Sequence, residues 1–121
     1  MSCTNSNADF RPAQYNVQIW RNDTWSNKFA LFTGVTPINL TGSTVEIQVR
    51  KTPSGTTAYL TLGLGTGLTI GGANNNEITV NALVDIAAGS YVYDMAVQFA
   101  DLTEKTYIWG TFIVYEDITK I

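Results

Sequence analysis

Thr44-Val45-Glu46-Ile47-Gln48-Val49-Arg50 alternates apolar and polar residues without a break. A strand turns successive side chains to opposite faces, so Val45, Ile47 and Val49 share one side and Glu46, Gln48 and Arg50 the other. One face is core and the other is wet.

The same period runs outward in both directions. Tyr91, Tyr93, Met95, Val97 and Phe99 line one side of the longest expected strand, opposite Val92, Asp94, Ala96 and Gln98. Thr106 to Tyr115 sets Ile108, Phe112 and Val114 against Tyr107, Trp109, Ile113 and Tyr115. Upstream, Tyr15, Val17 and Ile19 alternate with Asn16 and Gln18, and a strand from Trp25 to Phe32 puts Phe29 and Leu31 on one face. Ala58 to Leu62 and Glu77 to Ala82 supply two more strands, with Leu60 and Leu62 expected inside. Leu83 to Ala88 is the one run with room for a helical turn.

The connections carry turn chemistry: Arg21-Asn22-Asp23-Thr24, Thr33-Gly34-Val35-Thr36-Pro37, Thr41-Gly42-Ser43, Thr52-Pro53-Ser54-Gly55 and Ala100 to Glu104. Short strands at this spacing, so punctuated, predict an all-β antiparallel β-sandwich of seven or eight strands. Residues 13–121 form the expected single domain. Residues 1–12 begin in Met1-Ser2-Cys3-Thr4-Asn5-Ser6-Asn7, too polar to repay their own ordering, and read as an arm that is flexible or orders only on a neighbour.

Composition narrows the function. Of 121 residues only 14% are charged, well below the roughly 25% of soluble domains. Seven Lys and Arg against ten Asp and Glu give a net charge of −3, which leaves no electrostatic footprint for nucleic acid or anionic lipid. No run approaches the ~20 apolar residues of a bilayer-spanning helix. The start lacks the basic and apolar regions of a signal peptide, so the expected site of synthesis is a cytoplasm.

Catalysis finds few residues to work with. There is no His, and the single cysteine, Cys3, sits in the polar start, which removes imidazole bases, Ser-His-Asp and Cys-His arrangements, and Cys/His zinc sites. Asp9, Asp23, Asp101, Glu104, Glu116 and Asp117 lack calcium-loop spacing. The glycine-rich run Gly63 to Gly72 lacks the helix, and the Lys beside Ser or Thr, that a phosphate loop requires, and reads as a looping β connection. The chain is therefore expected not to be an enzyme and to use no cofactor and no metal. Asp94, a carboxylate in mid-strand, is open to two roles: a structural hydrogen bond or ligand binding.

Three Trp, six Tyr and five Phe exceed what one small core requires. Phe10, Trp20, Trp25 and Trp109 are the candidate interface residues; outward-facing aromatics either anchor a protein contact or stack on sugars. A chain this poor in Lys has little to blunt its sheet edges, so cover by its own arm or by symmetric association, as a trimer or ring, is expected.

Three segments together resemble a known family: Ile38 to Arg50 with its Leu40-Thr41-Gly42 turn, Ala88-Gly89-Ser90-Tyr91-Val92-Tyr93-Asp94-Met95, and Trp109-Gly110-Thr111-Phe112-Ile113-Val114 followed by Asp117-Ile118-Thr119. Their order and spacing are similar to the immunoglobulin-like sandwich at the N-terminus of tailed-phage baseplate upper proteins and in related small virion proteins. Where that family often carries Gly-Asp before its second strand, this chain has Asn22-Asp23. Baseplate members also continue into receptor-binding modules. The resemblance implies a virion structural protein made in the host cytoplasm, a tail or baseplate component or adaptor that contacts other virion proteins and its own copies. A capsid decoration or head-fibre base protein is the alternative. A carbohydrate-binding module using Trp20, Trp25 or Trp109 as a platform is the alternative of another class.

Overall fold

The computed structural model describes residues 12–121. The expected arm, apart from Pro12, and Phe10 within it lie outside the described residues.

Every regular element described is a strand: β1 (Ala13–Gln14), β2 (Val17–Trp20), β3 (Thr24–Ala30), β4 (Phe32–Thr33), β5 (Thr36–Pro37), β6 (Thr44–Arg50), β7 (Leu60–Leu64), β8 (Gly67–Gly71), β9 (Glu77–Leu83), β10 (Gly89–Gln98) and β11 (Glu104–Tyr115). Eight of these span four residues or more, while β1, β4 and β5 are two-residue pairings that periodicity does not reveal. The main sheet runs β1-β11-β10-β6-β7-β8-β9-β3, with β2 also paired to β11, and β4 and β5 form a separate hairpin.

The sheet is mixed rather than purely antiparallel. β1 and β2 pair parallel to β11, and β7 pairs parallel to β8 where the chain bends at Gly65. The sheet curls on itself, so that Val45, Ile47 and Val49 of β6, Tyr93 and Met95 of β10 and Phe112 of β11 share one core with Trp25 of β3 and Ile78 and Val80 of β9. Trp25 meets Tyr93 and Phe112 edge to face, at ring centroids 5.4 and 5.1 Å away.

The β6 alternation is as expected: Val45, Ile47 and Val49 are buried, Glu46 is exposed, and Gln48 and Arg50 are half-buried. The turn before it needs its glycine. Ser43 N–H donates to the Leu40 carbonyl at 3.0 Å while Gly42 sits at φ +81°, the geometry of a type II turn. Leu83 to Ala88, expected to allow a helical turn, forms none: Leu83 ends β9, and the bent connection after it buries Val84 and Ile86 in the core.

Two edges remain, β3 and the β1–β2 side, and the curl brings them face to face. Asn27 on β3 donates to the Tyr15 hydroxyl at 3.0 Å, and the rings of Tyr15 and Phe29 meet edge-on at 5.3 Å. Side chains thus close a seam that backbone pairing leaves open.

The segment Gly89 to Asp94 fixes both ends of the fold. Tyr91, at the start of β10, donates its hydroxyl to the Ala87 carbonyl at 2.5 Å, four residues upstream, in the manner of a tyrosine corner. Tyr93 donates to the Tyr15 carbonyl at 2.5 Å, across the sheet. Burial holds the Tyr93 phenol well above its ordinary pKa, so it remains a donor.

Candidate interaction surface

The outer face of β11, β10 and β6 follows from pairing alone. Gln14 pairs with Trp109, Trp109 with Asp94, Asp94 with Gln48, and Gln48 with Thr61, so one residue from each of five strands lies in a single row. Side chains of paired residues share a face. Two residues to either side of Gln48 along β6 stand Glu46 and Arg50, on the same face.

This row carries a bonded polar strip. Arg50 donates to the Gly55 carbonyl at 2.9 Å and to Gln48 Oε1 at 2.5 Å, and Gln48 Nε2 donates to Glu46 Oε2. Asp94 is exposed at its middle; partial burial raises its pKa and the charge of Arg50 opposes that shift. No described side chain donates a hydrogen bond to its carboxylate. Two adjoining depressions, of about 290 and 300 Å³, meet at Gln48 and Asp94.

The candidate tryptophans separate into three situations. Trp25 is a correction: it is 2% exposed and belongs to the core, with its indole N–H donated to Asn27 Oδ1 at 2.6 Å. The reason is parity, because Trp25 lies on the same face of β3 as Phe29 and the buried Leu31 that follows. Trp20 is 45% exposed and leans on Tyr115, itself 40% exposed, with centroids 5.5 Å apart. Trp109 is 40% exposed and has no aromatic partner among the described residues.

Trp20 and Tyr115 lie at one end of this outer face, where β2 and β11 terminate together. A charged residue follows each of them in sequence, Arg21 after Trp20 and Glu116 after Tyr115. Arg21 bridges Asp85 at 2.9 Å and Glu116 at 3.5 Å, Lys120 bridges Glu116 at 3.2 Å, and these cations hold the Glu116 carboxyl below its ordinary range. Asn22 donates to Asp117 at 3.5 Å, so the turn after β2 is tied to the segment after β11. Trp109 lies six residues from Tyr115 on the same side of β11, about 20 Å away at strand rise.

Among the described residues no three Asp, Glu, His or Cys side chains come close enough to hold a metal ion. Sequence reasoning singled out Trp109 and Asp94 separately, yet did not join them. The signal was the strand register, which no single strand contains. Tyr115 shares the parity of Trp109 along its strand, and its pairing with Trp20 likewise depends on register.

No protein-family model matches this chain, and no curated protein matches it either.

Proposed function

We propose that this domain is a non-enzymatic structural module of a tailed-phage virion, an immunoglobulin-like sandwich that acts in a tail or baseplate through protein–protein assembly. The observation that carries the reading is the exposed Trp20–Tyr115 pair, whose members are followed directly in sequence by Arg21 and Glu116, residues ion-paired with each other and with Asp85 and Lys120. Aromatic anchors within a polar rim are the anatomy of a protein contact. The architecture supports the family part of the proposal: the Tyr91 corner and the Leu40-Thr41-Gly42 turn fall where the resembling motifs lie. Its partners are other virion proteins and further copies of itself.

Two measurements test this. Light scattering across concentration on the full chain should show self-association that Trp20→Ala and Tyr115→Ala weaken. An antibody raised against the domain should decorate tailed particles from the source culture in electron micrographs. A chain that stays monomeric at every concentration and is absent from such particles overturns the proposal.

A further inference from the structure

We infer that the row centred on Trp109, Asp94 and Gln48 is a binding site for a neutral oligosaccharide, separate from the assembly contact at Trp20. The inference does not depend on the virion reading.

The aromatic platform comes first. A pyranose ring presents a flat patch of C–H groups that stacks on an indole, and the indole must be open to receive it. Trp25 is buried and Trp20 already leans on Tyr115, whereas Trp109 has neither constraint. Its indole N–H also has no acceptor among the described residues.

Polar groups of the right kind stand beside it. Sugar hydroxyls donate and accept at once, so they pair best with carboxylates, amides and guanidinium groups held in fixed directions. Asp94 pairs with Trp109 on the neighbouring strand, and its carboxylate, which feels the charge of Arg50, accepts no hydrogen bond from the described side chains. Gln48 pairs with Asp94 in turn, and its amide is oriented by the bonds it makes with Arg50 and Glu46. Because Arg50, Gln48 and Glu46 hold one another, a ligand does not have to order those three, which lowers the cost of binding.

Shape and charge specify the ligand. The depressions of about 290 and 300 Å³ adjoin across Gln48 and Asp94, each at the lower end of the range of small-ligand sites. Glu46, Asp94 and Glu104 line them against the single cation Arg50. That balance repels sulfated or phosphorylated polymers and admits neutral, hydroxyl-rich ones. The row has only one large apolar ring, too few for the desolvated centre of a protein contact.

The test is a titration of the isotope-labelled full chain with neutral cello-, xylo-, malto-, galacto- and chito-oligosaccharides, followed through the indole N–H signals to roughly 10 mM, as suits a weak open site. At least one series is expected to shift Trp109 while leaving Trp25 in place. Trp109→Ala and Asp94→Asn should each weaken that binding by about tenfold or more, and Trp20→Ala should leave it unchanged. Both affected positions are exposed, and thermal unfolding confirms that each variant is folded before it is compared. If no series moves the Trp109 signal, or if Trp109→Ala binds as the parent does, the inference is overturned. It is overturned equally if Trp109→Ala abolishes self-association and no sugar binds, because the row is then a protein contact.

Discussion

The hydroxyl of Tyr93, in the centre of the sheet, donates to the backbone carbonyl of Tyr15 at 2.5 Å, joining residues 78 positions apart. The Tyr15 N–H in turn donates to the Trp109 carbonyl at 2.8 Å, so the link between β1 and β2 is held from both sides. That anchoring places β1, and with it Gln14, beside Trp109 at the end of the outer row.

Tyr93→Phe keeps the buried ring and removes only the donor. Loss of one buried hydrogen bond, with its acceptor left in poor company, should cost about 1–2 kcal/mol. Urea unfolding should show a lower midpoint with an unchanged slope, since the surface exposed on unfolding stays the same.

Gly110→Ala should cost more. A Cβ at Gly110 would stand 2.2 Å from the Tyr15 carbonyl oxygen and 2.7 Å from its carbon, and both are backbone atoms that no rotamer change can move aside. Either β1 and β2 shift off β11 or the strand bends, at an expected cost of roughly 2–3 kcal/mol. Amide exchange should report the choice, with protection falling at Tyr15 and along β2 before it falls in β6.

The three tryptophans should separate cleanly in stability. Trp25→Ala removes a ring packed on Tyr93 and Phe112 and leaves Asn27 without its indole donor, and should cost about 3–5 kcal/mol. Trp109→Ala should change stability by no more than roughly 0.5 kcal/mol, and Trp20→Ala by about 1 kcal/mol because it also forfeits Tyr115. Thermal or denaturant unfolding of the three variants checks the order.

The contrast also shows what a sequence carries. β6 and β10 were legible because period two is a local property and both strands keep it without interruption. The orientation of Trp25 was legible too, since Phe29 and Leu31 had already been placed on one face and Trp25 shares their parity; an aromatic surplus obscured it. The row from Gln14 to Thr61 was not legible, because its members come from five strands and only the pairing register aligns them. The same holds for the parallel docking of β1 and β2 on β11, which depends on Gly110 leaving room for a backbone some 95 residues away in sequence. Val84 and Ile86 misled for the opposite reason: a run of six non-glycine residues satisfies a helical turn and a bent connection that buries alternate residues equally well.

Asp94 gives a prediction with a definite sign. Partial burial raises its folded-state pKa above the unfolded value, and Arg50 offsets only part of this. Between those two values the folded state binds more protons than the unfolded state, so stability falls as pH rises through that interval and stays lower above it. Asp94→Asn, which carries no charge at any pH, should therefore be more stable than the parent near neutrality and should close that gap in acid. Urea midpoints of the two proteins from about pH 3 to about pH 7 test it, a range that brackets the ordinary aspartate value. Glu116 and Asp101 work in the other direction, since their lowered pKa values add stability that is lost as pH falls, but they are common to both proteins and cancel in the difference. A mid-sheet carboxylate that accepts no structural hydrogen bond is open to a ligand, and a stability gain in Asp94→Asn would fit that role. If Asp94→Asn proves less stable than the parent at neutral pH, the carboxylate stabilises the fold and that support for the binding row is lost.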